Sequence, residues 1–124
     1  MGMFVISKRY NGDYKFVFTS KKGKIIFTSI GCRQKSDCEQ MIAGIKDNVA
    51  LFTFTKNSTA GGKYFFRLSK GGLVLATSRK YSTELSIRKG ISEIMKYVPI
   101  AEILDFSENE YVFPDADIVF ADMK

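Results

Sequence analysis

The chain has no histidine and no tryptophan, only two cysteines and two prolines, and no long apolar run. Each scarcity excludes something. Without histidine there is no imidazole to serve as general base, to activate a nucleophile or to ligate a metal. Cys32 and Cys38 are too few for a disulfide scaffold and wrongly spaced for zinc or for a CxxC redox motif. Runs such as Val49-Ala50-Leu51-Phe52 and Leu73-Val74-Leu75-Ala76 fall far short of the roughly 18–20 residues that a membrane-spanning helix needs. Met1 to Ile6 is followed at once by Ser7-Lys8-Arg9, without the apolar core of a secretion signal, so a cytoplasmic location with reduced thiols is expected.

Carboxylates are sparse as well. Residues 1–100 hold six, Asp13, Asp37, Glu39, Asp47, Glu84 and Glu93, and no two read as an acid/base pair. Gly71-Gly72 precedes a strand and lacks the Lys-Ser/Thr of a phosphate loop, so it reads as a hairpin turn. No cofactor and no metal site are expected, and the chain does not read as an enzyme. The one catalytic alternative is a thiol-redox role for Cys32, which precedes a helix and is expected to be partly exposed; a helix N-terminus can lower a thiol pKa. Cys38 reads as a small buried residue.

What is present describes a globular domain. The 124 residues are 45% hydrophobic and 26% charged, and aromatics reach 14% through eleven Phe and six Tyr. Tyr14, Phe16 and Phe18 alternate with Lys15, Val17 and Thr19, the period of a strand with one buried face. Asn11-Gly12 is a strong hairpin signal, and Lys22-Gly23 marks a second turn. The period then becomes helical: Cys38, Met41, Ile42, Ile45 and Val49 form one stripe. Ser36-x-x-Glu39 reads as a capping box for this helix.

The pattern then recurs. Phe4-Val5-Ile6-Ser7-Lys8 resembles Phe52-Thr53-Phe54-Thr55-Lys56, and Tyr14 to Phe18 resembles Tyr64 to Leu68. Ile25 to Ser29 resembles Val74 to Ser78, and Ile42, Ile45 and Val49 match Ile91, Ile94 and Val98. The offsets are 48, then 50, then 49 residues, which makes the turn from Asn57 to Gly62 longer and looser than its counterpart. Ser82 or Thr83 caps the second helix, Pro99 ends it, and Ile100 to Phe106 adds a short strand. The expectation is an α+β fold: two tandem β-β-β-α(-β) repeats, about 3–49 and 51–106, forming a mainly antiparallel sheet with two helices on one face. Residues 1–106 make the domain and 107–124 an acidic-aromatic extension.

These residues resemble the YegP-like family of small bacterial proteins. The resemblance rests on Phe4, Asn11-Gly12, Phe16, Phe18, Gly23, Ile26, Ser29, Ile42 and Ile45 in the first copy. In the second it rests on Phe52, Phe66, Leu68, Gly72, Ser78, Tyr81 and Gly90-Ile91, with Ala101 to Asp105 as closing strand. It implies two units joined through one sheet, and it brings no biochemical activity and no functional residues. The chain departs from the pattern in its first copy, where Cys32 replaces the Tyr before the helix and Met41 replaces the helix Gly.

Charge is uneven. Residues 1–100 hold 18 Lys and Arg against six acids, a net +12, while residues 101–124 hold one Lys and seven acids, a net −6. Lys21, Lys22, Lys24, Lys70, Arg79 and Lys80 lie at turns and strand ends, and Lys15 and Arg67 fall on the mixed sheet face near Phe65. Two functions follow. One is a non-catalytic interaction module that binds a protein partner or itself through a sheet edge or the tail, with Tyr111, Phe113 and Phe120 as docking residues. The other is nucleic-acid or polyanion binding through a basic sheet face, masked by the acidic tail.

Overall fold

The structure, a computed structural model, describes residues 2–107. The first strands are β1 (Met3–Lys8), β2 (Tyr14–Thr19) and β3 (Ile25–Ser29), followed by helix α1 (Lys35–Asn48). Next come β4 (Thr53–Ser58), β5 (Tyr64–Lys70), β6 (Leu73–Ser78), helix α2 (Glu84–Tyr97) and β7 (Glu102–Asp105). A single 3-10 turn follows each helix, Val49–Leu51 and Val98–Ile100. The seven strands form one sheet in the order β4-β5-β6-β3-β2-β1-β7, antiparallel throughout except that β7 runs parallel to β1. This is an α+β fold.

Strand register explains the core. Phe4 pairs with Phe18 and Ile6 with Phe16; Phe18 pairs with Phe27, and Leu68 with Phe54 and Ala76. Residues opposite one another in a ladder point to the same face, so these side chains make one apolar row. They cluster with Ile42 and Ile45 of α1 and Ile87 and Ile94 of α2, all fully buried. Phe4, Phe18 and Phe27 pack ring against ring, with centroids 5.1 Å apart for the first pair and 5.5 Å for the stacked second. Burial of each such side chain stabilises by about 1.5–3 kcal/mol relative to exposure.

Two buried serines hold the ends of the inner strands. Ser29 Oγ accepts from the Phe16 N–H at 2.9 Å and donates to the Ile30 carbonyl at 2.8 Å. Ser78 Oγ accepts from the Phe66 N–H at 2.9 Å and donates to the Arg79 carbonyl at 2.7 Å. Edge strand β7 is tied to α1 at two points: Lys46 Nζ donates to the Ala101 carbonyl at 2.6 Å, and Lys35 Nζ pairs with Asp105 at 3.1 Å.

Three local expectations are corrected. One is a longer, looser β4–β5 turn: it equals the β1–β2 turn in length and bonding. The hairpin ladder pairs Phe4 with Phe18 and Phe54 with Leu68, so Phe54, and not Phe52, occupies the position of Phe4. Phe52 lies before β4. Strand alternation is unchanged by a shift of two residues, so side-chain pattern alone could not choose between them. With that register the turns match: Arg9 N–H donates to Asp13 O and Gly12 N–H to Arg9 O, as Thr59 N–H donates to Lys63 O and Gly62 N–H to Thr59 O. Helix α1 starts at Lys35 with Gln34 as N-cap, so Ser36 lies inside the first turn and forms no capping box. In α2 the Thr83 side chain does cap, accepting from the Ser86 N–H at 3.1 Å.

Candidate functional site

The β2–β3 turn is tight. Ser20 N–H donates to Lys24 O at 2.7 Å, Gly23 N–H donates to Ser20 O at 2.9 Å, and Gly23 takes φ +84°, a conformation cheap only for glycine. Lys21, Lys22 and Lys24 are therefore presented from one loop. The β3–β6 ladder continues one step past the strands, with Arg79 N–H donating to Ile26 O at 2.9 Å. That bond sets Arg79 and Lys80 beside Lys24. The chain then enters α2, where Ser86, Lys89, Gly90 and Glu93 follow at i, i+3, i+4 and i+7 and so share one face.

Turn and helix face flank an open cavity of about 530 Å³. Its lining holds six cations, Lys21, Lys22, Lys24, Arg79, Lys80 and Lys89, with one carboxylate, Glu93. Ser20, Ser82 and Ser86 supply hydroxyls, and Ile26, Tyr81 and Gly90 complete the wall. Among the described residues, none of these six cations pairs with a carboxylate within 4.0 Å, and Glu93 has no cationic partner. Lys63 Nζ reaches the rim by donating to Ser82 Oγ at 3.2 Å. Two contacts hold Tyr81: its ring stacks on Phe66 with centroids 6.3 Å apart, and the Arg79 guanidinium lies 5.6 Å from its centroid. Burial raises the Tyr81 pKa, an effect opposed by Arg79 and reinforced by Glu93, so the phenol keeps its proton.

Four of these charges have uncharged counterparts in the first half of the chain. Counted from Ser29 in place of Ser78, the positions of Arg79, Lys80, Lys89 and Glu93 are held by Ile30, Gly31, Gln40 and Gly44. The same β-β-β-α element order thus occurs in this chain without those four charges.

Five of the eight cations singled out from the sequence meet here; the other three do not. Lys15 is only 3% exposed, so it offers no open surface for an anion. Arg67 is exposed on the opposite sheet face, its guanidinium 5.4 Å from the Phe65 centroid. Lys70 lies 5.6 Å from the Phe52 centroid, at the β5–β6 turn. Because β3 and β6 are antiparallel, that turn sits at the opposite end of the sheet from the β2–β3 turn. A continuous basic sheet face is therefore not formed. Lys89, Ser82, Ser86 and Glu93 were missed, although the helical spacing of Ser86, Lys89 and Glu93 was readable. Tyr111, Phe113 and Phe120 lie outside the described residues.

Cys32 is buried, not partly exposed, and its backbone bridges to Tyr14. Burial pushes its thiol pKa up, a hydrogen bond with Cys38 lowers it in part, and Asp37 and Asp13 raise it further. Burial and the Cys32 contact push the Cys38 thiol up strongly as well. An activated thiolate needs the reverse shift. Among the described residues no group of three or more potential metal ligands occurs, and no helix is long and apolar enough to cross a membrane.

Comparison with known proteins places this geometry in context. Residues 60–105 match the model of a domain of unknown function, DUF1508. The UPF0339 protein YegP of Yersinia pestis is 30% identical over 98 residues, spanning 77% of this chain and 88% of that protein. A UPF0339 protein of Acinetobacter baylyi is 30% identical over 108 residues, spanning 86% and 97%. The solution structure of UPF0339 protein SO3888 from Shewanella oneidensis superposes with a TM-score of 0.79 at 25% identity, covering 89% of this chain and 95% of that one. That of yegP from Escherichia coli gives a TM-score of 0.78 at 24% identity, covering 88% and 96%. With the fold and close to the full length of these relatives shared, the chain belongs to the YegP-like UPF0339 family, whose function is unknown.

Proposed function

We propose that this protein is a non-catalytic binding module for an anionic ligand, held in the cavity between the β2–β3 turn and α2. The observation that carries the reading is the convergence of six cations without carboxylate partners, among the described residues, on one concave surface. Such a site lowers the potential energy of an anion at every cation. The three serine hydroxyls in the lining have no histidine to activate them, and binding without turnover is the simplest use. The reading takes the two β-β-β-α halves as tandem copies, each supplying three of the six cations, in a domain of residues 1–106. It treats residues 107–124 as a separate acidic extension that competes with external anions, and it places the protein in the cytoplasm.

The test is a titration of the full chain with inorganic pyrophosphate, followed residue by residue in amide NMR spectra. Shifts should concentrate at Lys21–Lys24, Arg79–Ser82 and Lys89–Gly90, and binding should weaken as salt rises. Shifts centred on Arg67 and Lys70, or none at all, would reject the cavity.

A further inference from the structure

We infer that this end of the sheet docks a phosphodiester backbone, with Lys63 extending the cations of the cavity into a row that crosses β5, β6, β3 and β2. The inference rests on the anion-binding reading above and names the class of anion.

Three chain segments meet at this end: the β2–β3 turn at Ser20–Lys24, the β4–β5 turn at Thr59–Lys63, and the stretch Arg79–Ser82 between β6 and α2. Backbone bonds hold them side by side. Tyr64 and Tyr81 exchange N–H···O bonds of 2.8 and 2.6 Å, and the Arg79 N–H donates to Ile26 O at 2.9 Å. Lys63 directly precedes Tyr64, and Lys24 directly precedes Ile25. The two lysines therefore stand on the outer two of three neighbouring backbones, about 10 Å apart at two strand spacings. The turn back to β2 carries Lys21 and Lys22 one spacing farther, which makes the row about 14 Å long. Lys21, Lys22, Lys24, Lys63, Arg79 and Lys80 are all exposed, and the three segments hold no carboxylate. Among the described residues, none of these cations pairs with a carboxylate within 4.0 Å.

Lys63 is what separates a row from a pocket. It is not part of the cavity lining, yet its Nζ is held at the rim by Ser82 Oγ, 3.2 Å away. A small anion in the cavity leaves Lys63 unused, whereas an anion that repeats its charge along a line engages it. Lys, Arg and Ser side chains are the usual donors to nucleic-acid phosphates, and Ser20, Ser82 and Ser86 supply hydroxyls beside the row. An acidic peptide is the poorer fit. Protein partners are held by aromatic and other large anchors, and no exposed large hydrophobic residue lies in the three segments. Tyr81, the one aromatic in them, is half-buried with its ring stacked on Phe66. The contact is therefore to the backbone and independent of base sequence.

Fluorescence anisotropy on the full chain tests this, with two single-stranded RNA decamers of different sequence, a duplex of the same length, inorganic pyrophosphate and a glutamate decapeptide. The two decamers should bind within about two-fold of each other, and binding should weaken as salt rises. Lys63→Ala should weaken the decamers by about two- to five-fold, the range of one exposed ion pair, and lower the salt slope by about 0.7. It should leave pyrophosphate affinity unchanged, and Lys63→Arg should restore both decamer affinity and slope. A duplex that binds more tightly assigns the row to a double helix, and one that binds more weakly assigns it to a flexible strand; both keep the inference. If Lys63→Ala leaves the decamers unaffected, if the glutamate peptide binds as well as they do, or if only pyrophosphate binds, the inference fails while anion binding stands. If none of the probes binds, the anion-binding reading falls with it.

Discussion

Tyr81 and Gly90 share one space: a Cβ added to Gly90 would meet the Tyr81 hydroxyl oxygen at 2.5 Å and its Cζ at 3.1 Å. The absent side chain on α2 is what admits the tyrosine ring, which in turn stacks on Phe66. At the matching positions of the other half the sizes are exchanged, with small Cys32 before the helix and Met41 on it, packed against the core. Gly90→Met should therefore destabilise by about 1–3 kcal/mol through overpacking. Adding Tyr81→Cys should recover part of that loss, with a coupling of about 1 kcal/mol or more in a double-mutant cycle measured by urea unfolding. Strictly additive effects would show that the two side chains do not compete for the same volume.

Ser29→Ala and Ser78→Ala should each cost about 1–3 kcal/mol, because each leaves a buried backbone N–H, of Phe16 or Phe66, without its acceptor. Hydrogen exchange offers a local readout. The Phe16 amide should lose protection in the first variant only, and the Phe66 amide in the second only.

Asp105 makes acid stability traceable to one group. Partial burial raises its pKa, but hydrogen bonds from the Ser107 hydroxyl and backbone N–H and the contact with Lys35 outweigh this, and the net shift is downward. A carboxyl whose folded pKa is depressed contributes stability in full above its unfolded value of about 3.9, and loses it as pH falls through the folded value. Asp105→Asn should thus be less stable than the parent by under about 1 kcal/mol at pH 7, as for exposed ion pairs. Below about pH 4 the two unfolding curves should converge. A difference independent of pH would assign the effect to packing.

Both thiols should be slow toward a disulfide reagent at pH 8 in the native protein and react at once on unfolding, since burial raises both pKa values. Fast labelling of Cys32 in the folded protein would contradict its burial and reopen a redox role.

For the candidate site the useful control lies on the other side of the molecule. Arg67→Ala with Lys70→Ala removes as much charge as Lys24→Ala with Lys80→Ala. If the cavity binds anions, the first pair should change pyrophosphate affinity less than two-fold, a screened long-range effect. The second should lower it about ten-fold or more, in line with loss of charge-assisted contacts. Equal losses would mean that net charge, and not the cavity, draws the anion.

Much of the fold was legible in the chain because periodicity is a local property. Alternation at Tyr14–Thr19 and the 3.6-residue stripe through Ile42 and Ile45 report which face is buried, whatever buries it. What alternation cannot carry is an even-numbered slip, so Phe52 and Phe54 were indistinguishable until the β4–β5 ladder selected Phe54. A serine near a helix start is likewise compatible with more than one starting residue, and α1 begins before Ser36.

By itself the sequence determined the elements, their order, the apolar row and the scarcity of catalytic groups, since each depends on neighbours within a few positions. Tertiary structure alone decided which charges meet. Antiparallel pairing of β3 with β6 brings Lys24 beside Lys80 across more than fifty residues and sends Lys70 to the far end of the sheet. Electrostatic contact depends on distance through space, and that distance is set by strand pairing.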